Sequence, residues 1–197
     1  MWELYQSDFF GGSFGNERGL LGCGTAVEND RRFKGSIRMQ NEQHMGSRWL
    51  ELPLALAGFF LNFFWEMVQS PFYDDIYRKT YVEILVSRLH CTLGDVLILL
   101  SAYWIVAWLT RNRYWVMALH IRNVLLFTFL GLGYTIVSEW VNVDIRSAWN
   151  YGATMPRVPW INTGLAPFIQ WVLLPPLIAG ITGRLVREKA ISEERKP

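Results

Sequence analysis

Four stretches of this chain, residues 50–70, 93–110, 114–140 and 164–186, are apolar over nearly their whole length. Each is comparable to the roughly 20 helical residues needed to cross a hydrocarbon core about 30 Å thick. The pattern predicts an all-α integral membrane protein, a four-helix bundle of residues 49–187 flanked by a polar tail at either end (1–48 and 188–197). The second stretch is the cleanest, running from Val96 to Leu109 without a charge. The third is the longest, and His120 and Arg122 in its first turns place its start at the interface, where Arg122 can snorkel toward the headgroups. The fourth contains Pro175-Pro176, which removes two backbone donors and predicts a kink, and Ala179 and Gly183 four residues apart, a small-residue face for close packing.

Polar residues interrupt the first stretch with helical spacing. Asn62, Glu66 and Gln69 stand at i, i+4 and i+7, on one face of a helix. A carboxylate in a hydrophobic span is costly to expose to lipid, so it is expected to face protein or a water-filled cavity, and it is a functional candidate by default. The plainer reading is that Glu66 pairs with an arginine or asparagine of a neighbouring helix and fixes packing.

Antiparallel threading brings other polar groups to the same place. The ends of spans one and three share a membrane face with the beginnings of spans two and four. Glu66 and Gln69 therefore meet Asp95, read as opening span two, Glu139, read as closing span three, and Gln170 in the first turns of span four. Asp95 can also serve merely as a helix cap, and Glu139 can merely be solvated. The connector at 140–163 contains Trp149, Asn150, Tyr151 and Trp160 and reads as a lid over that mouth; Tyr73, Asp74, Asp75, His90 and Cys91 lie on the same side. His120, nineteen residues before Glu139 and so about 28 Å away along a helix, is excluded from the site.

Lysine and arginine counts orient the bundle. Arg48, Arg111, Arg113, Arg184, Arg187, Lys189, Arg195 and Lys196 fall on one face, and Arg78, Lys79, Arg88, Arg146 and Arg157 on the other. The excess, with Lys34 and Arg38 added to it, predicts cytoplasmic termini and a non-cytoplasmic mouth.

Composition narrows the rest. Ten tryptophans in 197 residues are read as interface anchors. A net charge of +2, with no basic stripe interleaved with aromatics, argues against nucleic acid as a partner. Residues 1–48 hold glycines, asparagines and mixed charge without a helical or strand period, which predicts a disordered tail and makes Met45 an alternative biological start to Met1. Cys23 and Cys91 are too far apart in sequence character to suggest a disulfide framework. His90 beside Cys91 looks like a soft-metal pair, but adjacent residues on a helix point different ways, so no metal ligand is assigned and no cofactor is inferred.

Longer motifs carry a resemblance. Ser138-Glu139-Trp140, Trp149-Asn150-Tyr151, Met155-Pro156-Arg157-Val158-Pro159-Trp160 and Gly164 to Trp171, together with Asn62 to Tyr73, resemble a type of small bacterial multi-spanning membrane protein. That resemblance implies the bacterial inner (plasma) membrane. A glutamate closing one span, an aromatic-x-tyrosine and a valine-proline before the next span are similar, over about forty residues, to the membrane carotenoid hydratase family. This second resemblance implies Glu139 as proton donor and Tyr151 as orienting hydroxyl.

The expected function is proton-transfer chemistry on an apolar, lipid-like or isoprenoid molecule. Carboxylates clustered in a low-dielectric site favour one another's protonated form, so one can act as general acid at neutral pH. Glu66, Glu139 and Asp95 are the expected acid, base and orienting groups, with Tyr151 beside them. Asn62, Gln69, Tyr73, Trp149, Asn150 and Gln170 are the expected substrate-binding residues. The rivals are a cation or proton carrier or sensor built on the same carboxylates, and a scaffold subunit whose polar groups only hold helices together. The partners expected are the lipid bilayer and a lipid-like small molecule.

Overall fold

A computed structural model describes residues 50–195; the expectations for the tail at 1–48 and the start at Met45 lie outside the described residues. Four helices follow in order: α1 (Glu51–Gln69), α2 (Tyr81–Thr110), α3 (Ile121–Glu139) and α4 (Leu165–Glu194). All four lie in segments long and apolar enough to cross a membrane. Each packs on two neighbours in the cyclic order α1–α2–α3–α4, and the α2–α3 seam is the most sparsely packed of the four.

α1 shows why this sequence suits lipid. Leu54, Gly58, Asn62 and Glu66 recur every four residues on its buried face, while Leu52, Leu56, Phe60, Phe64 and Val68 form an exposed stripe with the same spacing. The polar side chains turn toward protein and the apolar ones outward, the reverse of a water-soluble helix. Small residues set the approach of neighbouring elements. A Cβ on Gly58 would lie 2.9 Å from Leu99 Cδ1, one on Gly131 2.2 Å from the Trp171 ring, and one on Gly183 2.3 Å from the Val116 carbonyl oxygen. Ala179, fully buried, completes the small-residue face expected on α4.

The spans depart from their expected limits in three places. α2 begins twelve residues early, at Tyr81, because Thr80 and Glu83 form a capping box: the Thr80 hydroxyl accepts from the Glu83 amide and Glu83 accepts from the Thr80 amide at 2.8 Å. Asp95 is therefore in the middle of α2 and caps nothing. α3 begins seven residues late, at Ile121, and after Glu139 it continues as one π turn, Trp140–Ile145, in which the Arg146 amide donates to the Val141 carbonyl at 2.8 Å. α4 runs through Pro175 and Pro176 and on to Glu194, so the polar segment from 188 is largely helical.

One half of the bundle is closed by apolar packing. Leu50, Leu54, Leu99, Tyr103, Val106, Trp115, Val116, Phe127 and Ile178 are each at most 2% exposed. Trp115 and Trp171 are core residues, since the turn before α3 and the face of α4 bring them inside; they are not interface anchors. Glu51 and Arg113 form an ion pair at 2.7 Å at this end, and the Tyr103 hydroxyl donates to the Arg113 carbonyl at 2.7 Å.

Candidate functional site

The other half of the bundle is built from polar side chains, and their hydrogen bonds run in one direction. The Trp65 indole N–H, which can only donate, reaches Gln69 Oε1 at 3.2 Å. That orients the Gln69 amino group toward Glu66 Oε1 at 2.7 Å and Gln170 Oε1 at 3.3 Å. Gln170 Nε2 in turn donates to Asn62 Oδ1 at 2.9 Å and Asp95 Oδ2 at 3.1 Å, and Asn62 Nδ2 ends the run on the Gly58 carbonyl at 2.7 Å. An indole at one end and a backbone carbonyl at the other leave no alternative orientation for the three amides. The helical face that presents Asn62, Glu66 and Gln69 thus joins α1 to α2 and α4 as the spacing predicts.

Glu139 is held from the lid. The Gly164 amide donates to the Tyr151 hydroxyl at 2.9 Å, so the phenol directs its own proton to Glu139 Oε2, which also accepts from Trp149 Nε1 at 3.4 Å. Each of the three carboxylates is therefore anchored through one oxygen. Among the described residues no donor reaches Glu66 Oε2, Asp95 Oδ1 or Glu139 Oε1, and none of the three carboxylates pairs with an arginine, lysine or histidine.

Glu66, Asp95 and Glu139 line a single cavity of about 560 Å³, within the roughly 300–1,000 Å³ of small-molecule sites. Gln69, Tyr73, Trp149 and Gln170 share the wall. Of the ten residues expected at the site, seven thus face the cavity. Asn62 and Tyr151 stand behind, bonded to Gln170 and Glu139 respectively. Asn150 is the exception: it is exposed, it is not part of the cavity wall, and it contributes a carbonyl that accepts from the Asp74 amide at 3.2 Å.

That carbonyl belongs to the lid's fastening. Tyr73 and Tyr151 form an antiparallel bridge, the Gly152 amide donates to the Phe72 carbonyl at 2.8 Å, and the two phenol rings lie 5.8 Å apart. Burial, followed by the negative charge of Glu139, pushes both phenols above their ordinary range, so each remains a proton donor well into alkaline conditions.

Arg88 was not among the expected site residues. It lies on the Asp95 face of α2, seven residues earlier, and is 4% exposed. Its guanidinium donates to Asp75 Oδ1 at 2.6 Å and Ser70 Oγ at 3.0 Å and stacks 4.8 Å from the Tyr73 ring centre. The i, i+4, i+7 series Arg88, Thr92, Asp95 is the signal that finds it, once α2 is started at the capping box. His90 and Cys91 line the cavity as well, but among the described residues no three His, Cys, Asp or Glu side chains are placed to hold one metal ion.

No family model matches this chain, and no curated protein and no solved structure matches it.

Proposed function

We propose that the protein is an integral membrane enzyme that transfers protons to and from an apolar, lipid-like molecule, isoprenoids included, bound in the carboxylate-lined cavity. The observation that carries this reading is that three carboxylates from three helices are each fixed by neutral donors through one oxygen and, among the described residues, meet no donor at the other. Anchored acids with a free oxygen facing a cavity are suited to giving and taking protons. Glu66 acts as acid or base and Glu139 as its partner, oriented by Tyr151, with Asp95 and Gln170 holding the geometry. The chemistry is redox-neutral: the proton given to the substrate by one carboxyl is balanced by one taken from the substrate, or from water added to it, by another.

The rival reading of a transmembrane cation or proton carrier has less support, because the polar column ends at Asn62 and the tightly packed apolar half of the bundle lies beyond it. The scaffold reading does not account for a cavity of this size beside the carboxylates. The positive-charge rule supports a mouth on the non-cytoplasmic side with both termini cytoplasmic, and the motif resemblance supports a bacterial inner (plasma) membrane. Arg88, buried in an ion pair, drops out of the minority count, leaving eight against four.

The test is solvent-proton transfer. Purified protein in nanodiscs is incubated with total membrane lipid extract in deuterium oxide, and the lipids are analysed by mass spectrometry. Wild type incorporates carbon-bound deuterium into a lipid-soluble species, and Glu66→Gln lowers the rate by about a hundredfold or more. No incorporation above a protein-free control by wild type overturns the reading.

A further inference from the structure

The cavity is long along α2 and carries charged side chains at one end only. Its α2 wall runs from Ser87 to Ile105, eighteen residues and so about 27 Å, close to the thickness of a hydrocarbon core. The carboxylates occupy the half nearer the connectors. The far half is walled by Leu97, Ile98, Ala102 and Ile105 of α2 and Leu130 of α3. This wall follows the α2–α3 seam, the loosest in the bundle, and Leu97, Ser101, Ile105 and Tyr134 on its two sides are exposed on the outer surface that faces lipid. Across the connector end, by contrast, the lid is fastened to the end of α1 by the Tyr73–Tyr151 bridge.

We infer that the α2–α3 seam is a lateral portal through which a single-chain amphiphile enters from the bilayer, its head reaching the carboxylates and carrying hydrogen-bond donors without negative charge. The inference rests on the proposed lipid-like substrate and specifies its class. A hydrocarbon chain fits a groove that is largely apolar and open sideways. The head must supply what the wall lacks: donors for Glu66 Oε2, Asp95 Oδ1 and Glu139 Oε1. Among the described residues, an anionic head would find no free cation on this wall: Asp75 already engages both Arg88 and Lys79, at 2.6 and 3.4 Å, and Glu66, Asp95 and Glu139 have no cationic partner to share. Neutral alcohols and protonated amines meet both demands.

The experiment compares hexadecanol, hexadecylamine and hexadecyl sulfate, three heads on one chain, for binding to the full chain in phosphatidylcholine nanodiscs at neutral pH. Hexadecanol or hexadecylamine binds about tenfold or more tightly than the sulfate, a difference set by the head alone. Ser101→Trp, which fills the seam, weakens binding of the preferred probe by about tenfold, and so does Gly94→Leu, whose side chain projects from a cavity-wall position where a Cβ meets nothing within 4 Å. Leu93→Trp, exposed on α2 but outside the cavity wall, binds as wild type does, and thermal unfolding in detergent confirms that each variant tested is folded. Equal or tighter binding of the sulfate, or wild-type binding by both folded seam variants, overturns the inference. Loss of the head preference while deuterium transfer persists removes only the portal and head class. Selective binding with no deuterium transfer removes the proton chemistry and leaves the portal standing.

Discussion

Tyr151 and Glu139 are joined by a hydrogen bond whose direction is set from outside the pair, because the Gly164 amide takes one of the phenol's acceptor positions and leaves its proton for the carboxylate. Replacing the phenol removes a donor from Glu139 and a partner from Gly164 in one step. Tyr151→Phe is expected to destabilise the fold by about 1–3 kcal/mol, the usual cost of leaving buried polar groups unsatisfied. Chemical denaturation in detergent micelles measures it, and a midpoint unchanged from wild type would show that the bond carries no weight.

The two phenols of the bridge make a prediction about alkaline stability. Both are held above their ordinary range by burial first and by carboxylate charge second, so the folded state keeps their protons after the unfolded chain has released them. A raised folded value contributes stability that is complete below the ordinary tyrosine range and is lost as pH climbs from there toward the folded value. Between those limits each phenol costs about 1.4 kcal/mol per pH unit. Unfolding free energy measured against pH should therefore fall above the ordinary tyrosine range, and less steeply in Tyr151→Phe. Identical alkaline slopes for the two proteins would contradict the assignment.

Arg88 and Asp75 form an ion pair at 2.6 Å with the guanidinium almost fully buried. Arg88→Met leaves Asp75 only the half-exposed Lys79 at 3.4 Å and removes the donor to Ser70, and is expected to cost up to about 3–5 kcal/mol. The double variant Arg88→Met with Asp75→Asn should recover part of that loss. A double-mutant cycle on unfolding free energies reads the coupling, and strict additivity would mean that the pair does not act as one.

Two glycines two residues apart on α3 should respond in opposite ways. A Cβ on Gly131 falls 2.2 Å from the Trp171 ring, whereas one on Gly133 meets nothing within 4 Å. Gly131→Ala is expected to lose about 1–3 kcal/mol through overpacking. Gly133→Ala should be neutral or gain up to about 1 kcal/mol from helix propensity. Thermal unfolding of the two variants side by side tests the contrast, which fails if both move the same way.

Gln170 is the junction between helices. Gln170→Leu keeps the volume but removes the donor shared by Asn62 and Asp95 and the acceptor for Gln69, and should destabilise by about 1–3 kcal/mol. In the deuterium assay it should also slow transfer, because Asp95 is no longer fixed. A variant as stable and as active as wild type would reduce the amide run to a bystander.

The parts of this architecture that were legible in the sequence are those governed by periodicity. The Asn62, Glu66, Gln69 spacing places three side chains on one buried face, and antiparallel threading brings Asp95, Glu139 and Gln170 to them. What eluded sequence reading depends on where helices begin and on contacts between distant segments. Apolar content marked α2 only from residue 93, since the preceding turns mix Arg88, His90 and Thr92 with apolar residues; the Thr80–Glu83 box, a local signal, reveals the true start. That early start puts Asp95 in mid-helix and draws Arg88 inside. Asn150 lost its expected role because bridge pairing uses its carbonyl and leaves its side chain exposed. Trp115 became a core residue because the chain turns inward before α3. Neither event has a signature in hydropathy.

The pairing of residues 72–74 with 150–152 also determines what happens when the roof is cut. Trp160, fully exposed at a positive φ of 68°, sits at the tip of the loop spanning Arg157 and Gly164, where a protease has easy access. A nick there separates the polypeptide into two pieces, yet the first retains both strands of the Tyr73–Tyr151 stitch, and the second remains clasped through α4 to α1 and α3. Severed protein should therefore migrate as one particle until denatured, like a garment whose seam holds after the cloth beside it has torn.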